Sequence, residues 1–91
     1  MRKHYEMALK EFLCDQIYRA RIHFDLTQAE MAERLEMDTR TYIYLDHGKS
    51  GGSAVTLALY FVYFCKDPIL FQEQLRHVFE KEKASAMQSV L

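Results

Sequence analysis

Histidine is the side chain best suited to acid–base or metal chemistry near neutral pH, and this chain has four: His4, His23, His47 and His77. None stands in an HxxxH or HExxH spacing, so no two of them share a helix face as zinc ligands do. The two cysteines, Cys14 and Cys65, are far apart and outside any CxxC pattern. Each sits in an apolar pattern, which points to buried thiols in a reducing compartment, with a disulfide as the alternative. No serine or cysteine nucleophile comes with a recognisable base arrangement. The one glycine-rich stretch, Gly48-Lys49-Ser50-Gly51-Gly52, lacks the spacing of a phosphate-binding loop and follows a helical pattern instead of a strand. These residues assemble no catalytic, metal or cofactor site, so the chain is not expected to be an enzyme.

What remains is the chemistry of hydrogen bonds and charge, and that depends on how helices present it. The 91 residues are 49% hydrophobic and 27% charged, with one proline, three glycines and a formal net charge of −1. This composition predicts a single folded domain over 1–91. A near-zero balance excludes a polycation that holds nucleic acid by charge alone, so any nucleic-acid role must rest on a local surface. No apolar signal core follows Met1 to Glu6. The longest apolar run, Ala54 to Cys65 with Thr56 inside it, spans only ~18 Å as a helix against a ~30 Å bilayer core. A cytoplasmic protein without a membrane partner is the expectation.

Tyr5, Leu9, Phe12, Leu13, Ile17 and Ala20 recur at helical spacing and predict a long amphipathic first helix over about 4–23. Thr27 to Glu30 has the form of a capping box, which starts a short helix over about 28–35 with Met31, Ala32 and Leu35 inward. Asp38 is a good cap for a third helix over about 39–46, with Tyr42 and Leu45 inward and Gly48 just past its end. Ser53 caps an apolar fourth helix over about 54–65. Asp67-Pro68 opens a fifth, over 67–84, striped by Phe71, Leu75, Val78 and Phe79. The tail over 85–91 reads as frayed. The fold class is therefore all-α: a compact five-helix domain with an extended first helix and a C-terminal helix suited to dimerisation.

Two short helices joined by a tight turn have the layout of a helix-turn-helix. The stretch Leu26 to Leu35 resembles the first half of that motif in the phage-repressor-like (Cro/XRE, lambda-repressor-like) DNA-binding family, and Leu45 to Lys49 resembles the family's acid-x-glycine-basic ending. The resemblance covers 17–64. It implies that Ala32 lies where the two motif helices cross closest, and that Leu35, Met37 and Leu45 fill the space between helices. It implies that Thr39, Arg40, Thr41 and Tyr44 face the major groove, Arg40 offering a bidentate contact to guanine. Thr27, Gln28 and Lys49 become the phosphate contacts. Arg21 and Asp46 match a structural ion pair that fixes the angle of the reading helix.

Two features depart from the family pattern. Glu36 stands where the family's turn usually has glycine, which implies a longer or reshaped connection. Residues 17–52 hold five Lys/Arg (Arg19, Arg21, Arg34, Arg40, Lys49) against six Asp/Glu (Asp25, Glu30, Glu33, Glu36, Asp38, Asp46). The aromatic run Tyr60-Phe61-Val62-Tyr63-Phe64 is apolar on nearly every side, so a homodimer is expected, with Phe61, Phe64, Phe71, Leu75 and Phe79 at its interface. The resulting expectation is a dimeric, sequence-specific transcriptional regulator bound to a pseudo-palindrome of double-stranded DNA. The alternative on the same fold is a protein-interaction module or antitoxin-like adaptor with a protein partner and weak or no DNA binding.

Overall fold

A computed structural model describes residues 2–48 and 54–90, and among them five helices and no strand. The first, α1 (Arg2–His23), buries Leu13, Cys14, Ile17 and Ala20 in the core, and Ala8 apart from them. It stops because Asp25 turns left-handed (φ 54°). Leu26 N–H then bonds Arg21 O at 3.0 Å and Asp25 N–H bonds Ile22 O at 3.1 Å, which satisfies the last carbonyls of the helix.

Next comes α2 (Gln28–Arg34), started by the capping box: Thr27 Oγ1 accepts from Glu30 N–H (3.1 Å) and Glu30 Oε1 accepts from Thr27 N–H (2.9 Å). The bond to the Thr27 backbone holds the Glu30 carboxyl below its ordinary pKa. α3 (Thr39–Asp46) is capped by Asp38, whose Oδ1 accepts from Thr41 N–H at 2.7 Å. That bond likewise lowers the Asp38 pKa. The connection between these helices is not lengthened by Glu36. Glu36 itself takes the left-handed conformation (φ 58°), and the pair Met37 N–H to Ala32 O (3.0 Å) and Glu36 N–H to Glu33 O (3.1 Å) closes the helix end as a glycine turn does. Glu36 thus adopts the left-handed conformation that a glycine takes easily, and the strain of a side chain at positive φ in this turn falls on that residue.

After α3, Gly48 has φ +74°. Ser53, the expected cap of the next helix, and Lys49 lie outside the described residues. α4 (Ala54–Tyr63) ends two residues before Cys65, because the amides of Phe64 and Cys65 both turn back to Tyr60 O. α5 (Pro68–Val90) begins with proline at its first position, and Asp67 Oδ1 accepts from Leu70 N–H at 3.0 Å. The helix continues beyond 84, the expected end of the C-terminal helix, and Leu91 lies outside the described residues. The stretch beyond Ala84 has neither glycine nor proline, and Ala86, Met87 and Gln88 are good helix formers, so the helix runs to Val90.

The core is one cluster joining Leu13, Ile17 and Ala20 of α1, Met31 and Ala32 of α2 with Leu35, Tyr42 and Leu45 of α3, Tyr60 of α4 with Phe64, and Phe71 of α5. Ile17, Met31 and Tyr42 are wholly buried, and each large apolar side chain removed from water contributes about 1.5–3 kcal/mol. α1 and α5 run antiparallel, since Tyr5 meets Phe79 (ring centroids 5.5 Å) and Phe12 meets Phe71 (5.4 Å). No helix among the described residues is long and apolar enough to cross a membrane.

Candidate functional site

The polar centre of the molecule is Asp46, at the last turn of α3. Its Oδ2 accepts from Arg21 Nη2 at 3.4 Å and from Gln28 Nε2 at 3.0 Å, while its Oδ1 accepts from Tyr42 OH at 3.2 Å. Arg21 comes from the end of α1, Gln28 from the start of α2 and Tyr42 from one turn earlier in α3. One carboxylate therefore ties three helices together. The side chains of Arg21 and Asp46 are only 16% and 6% exposed, so this pair is shielded from solvent in a way that surface ion pairs are not. Arg21 Nη1 also donates to Leu26 O at 3.1 Å, and its guanidinium lies 5.5 Å from the Tyr18 ring centroid. Its Nε is buried and has no hydrogen-bond partner among the described residues. Burial, and then the Asp46 charge, push the Tyr42 hydroxyl well above its ordinary pKa, so it stays a donor at every physiological pH.

This arrangement fixes how α3 is presented. Tyr42 and Leu45 are buried, and Thr39, Arg40, Thr41 and Tyr44 are exposed on the remaining surface of the helix. The four expected base-contacting residues thus occupy one short exposed helix whose inner side is anchored. Thr27 is exposed at the start of α2, with its Oγ1 engaged by the Glu30 amide. Gln28 is half-buried, and its amide nitrogen is directed to Asp46. Its structural bond was missed in the sequence, as was that of Tyr42. The i, i+4 spacing of Tyr42 and Asp46 was the available signal.

Acidic groups flank this face. Glu30, Glu33, Glu36 and Asp38 are exposed, against Arg34 and Arg40 on α2 and α3. Arg21 is withdrawn into the Asp46 cluster.

The five residues expected at a dimer interface are not all available. Phe64 and Phe71 are buried within the single chain, and Leu75 and Phe79 are half-buried. Phe71 is held among Phe12, Tyr60 and Phe61, so the covering that the aromatic run needs is partly supplied by its own α1 and α5. Phe61 remains exposed. It shares the water-facing arc of α4 with Ala54, Val55, Ala58 and Val62, and that arc contains no polar side chain.

No group of three or more metal-ligating side chains occurs among the described residues. Cys14 is buried and Cys65 half-buried, and neither is in a disulfide. Burial raises the Cys14 pKa, which keeps it an unreactive thiol. Comparison with known proteins gave no match among family models, curated proteins or solved structures.

Proposed function

We propose that this chain is a sequence-specific DNA-binding regulator in which α2 and α3 form a helix-turn-helix and α3 enters the major groove. The observation that supports it best is the exposed Thr39, Arg40, Thr41 and Tyr44 set on a helix anchored at its opposite end by the Arg21–Asp46–Gln28 cluster. A reading helix needs an outward hydrogen-bonding face and a fixed docking angle, and this arrangement supplies both. Arg40 reads guanine, Thr39 and Thr41 touch thymine methyls or phosphates, and Tyr44 reaches base edge or backbone one turn later. Thr27 and Gln28 sit at the first motif helix's N-terminus, where backbone amides favour phosphate. Two copies related by a twofold axis place their reading helices about 34 Å apart on a pseudo-palindromic site. Selection of bound sequences from a random DNA pool tests this: a symmetric consensus with salt-sensitive binding is expected, and recovery of no enriched sequence at low salt excludes the reading.

A second reading is supported by a different observation. The apolar arc of α4 and the acidic surroundings of α3 suit a protein-interaction module, antitoxin-like or adaptor, on the same fold. A stoichiometric co-purifying protein together with no DNA selection is the outcome that favours it.

A further inference from the structure

A cleft of about 280 Å³ lies where the end of α1 meets the corner between α4 and α5, away from α3. We propose that it binds a small organic anion: a carboxylate carried on an aromatic or branched aliphatic body. Its volume of about 280 Å³ falls just below the ~300 Å³ from which small-ligand sites usually run, so it suits no more than one ring with a short acidic arm.

The lining divides into an apolar wall and a cationic rim. Phe24, Phe64 and Phe71 supply the wall, with Phe24 and Phe64 meeting edge to face at 5.9 Å between centroids. The rim carries two cations, Lys66 and Arg19, and His23, whose Nε2 accepts from Lys66. Lys66 Nζ lies 2.7 Å from His23 Nε2 and 4.8 Å from the centre of the Phe24 ring. An ammonium has three N–H donors. Here the imidazole takes one and the ring face offers a weak charge contact. Among the described residues no carboxylate stands within ion-pair distance of Lys66. Arg19 is ion-paired with Asp15 through its Nε, at 2.8 Å, so Lys66 is the cation of the lining that lacks a carboxylate partner among the described residues. Asp67 is the acidic residue in the lining; its Oδ1 accepts from the Leu70 amide, and its negative charge remains beside Lys66 in the sequence.

The start of α5 also lies at the cleft, where the Asp67 carboxylate caps it. The carbonyls at the end of α1 are already taken by the amides of Phe24, Asp25 and Leu26. A neutral apolar ligand would leave the cationic rim unused, and an inorganic anion would leave the aromatic wall unused. The pairing of wall and rim selects a ligand with both parts. The cleft has no lining residue from α3, so its occupancy does not depend on DNA binding.

An NMR titration of the full chain tests it with three probes: phenylacetate, its uncharged analogue phenylacetamide, and acetate. The expected result is saturable shifts from phenylacetate centred on His23, Phe24, Lys66 and Leu70, with the amide and acetate each at least about tenfold weaker. Lys66→Met, at an exposed position, weakens phenylacetate about tenfold and leaves the remaining spectrum unchanged. Shifts that do not saturate, that centre elsewhere, or that are as strong with phenylacetamide overturn the proposal. An unaltered affinity in Lys66→Met overturns it as well.

Discussion

Asp46 anchors the helix that carries the exposed Thr39, Arg40, Thr41 and Tyr44. It accepts from Arg21, Gln28 and Tyr42 on three different helices. Asp46→Ala leaves the Arg21 guanidinium shielded and without its carboxylate, so a loss of about 3 kcal/mol is expected in urea denaturation. A loss under about 1 kcal/mol would mean that solvent screens the pair as it does at a surface. Tyr42→Phe removes one donor and leaves two, and a smaller loss of about 1 kcal/mol is expected. Arg40 is the opposite case. It is exposed, so Arg40→Ala should leave stability within about 0.5 kcal/mol. On DNA it should lower discrimination at one base pair by about 1–3 kcal/mol, read as a flattened consensus at that position. Unchanged discrimination removes Arg40 from the reading face. The pairing of Arg21 with Asp46 was expected only through the resemblance to the repressor-like motif. The convergence of Gln28 on the same oxygen was not legible, because it depends on how far α2 tilts toward α3, and no local pattern encodes that tilt.

At the scale of elements, starts and stops were the most readable features, since each uses short-range chemistry. Thr27 with Glu30, Asp38 with Thr41, and Asp67 before Pro68 are hydrogen-bonding patterns within four residues. The errors lie where the rule is about cost instead of contact. Glu36 is disfavoured at φ 58°, yet the turn holds because Met37 and Glu36 amides satisfy two carbonyls and Leu35 stays buried. Glu36→Gly should therefore raise stability by about 1 kcal/mol while leaving the fold intact, checked by the denaturation midpoint. A fall in midpoint would show that the Glu36 side chain makes a compensating contact. The caps also set a pH dependence. Folding lowers the pKa of Glu30 and Asp38, so their contribution is fully present above the unfolded carboxyl range. It is lost as pH falls below about 4 and through the depressed folded values. Asparagine also caps helices but does not titrate. Asp38→Asn should thus match the parent near pH 7 and lose less stability than the parent between pH 5 and pH 2. Identical acid profiles for the two would show that the Asp38 cap does not contribute to acid sensitivity.

At the scale of the whole molecule, the chain is more extended than its length requires. The radius of gyration is 14.1 Å, where about 12 Å is typical for a chain of this size. The extension comes from the long α1 and α5, and it leaves α4 covered on one side only: Thr56 and Tyr60 face inward while Val55 and Val62 are 64% and 68% exposed. The sequence made it clear that an all-apolar helix needs cover, but it could not say which aromatic residues the chain covers for itself. Phe64 and Phe71 looked like partner contacts and turn out to be core. One exposed apolar surface is the arc of Ala54, Val55, Ala58, Phe61 and Val62 on α4. If that arc is the twofold interface of a DNA-bound dimer, Val62→Glu is the informative change. In a monomer the substitution lies in water and should shift stability by no more than about 0.5 kcal/mol. In a dimer it sets a carboxylate against its symmetry mate on an apolar surface, where burial leaves it unpaired. Sedimentation equilibrium should therefore show the parent dimerising with concentration and Val62→Glu remaining monomeric. The variant should bind a half-site as the parent does, but lose its added affinity for the full palindrome, since two linked sites gain from joint binding without any new base contact. A parent that stays monomeric at high concentration, or a variant that dimerises equally well, places the twofold contact elsewhere and returns α4 to the service of a different protein partner.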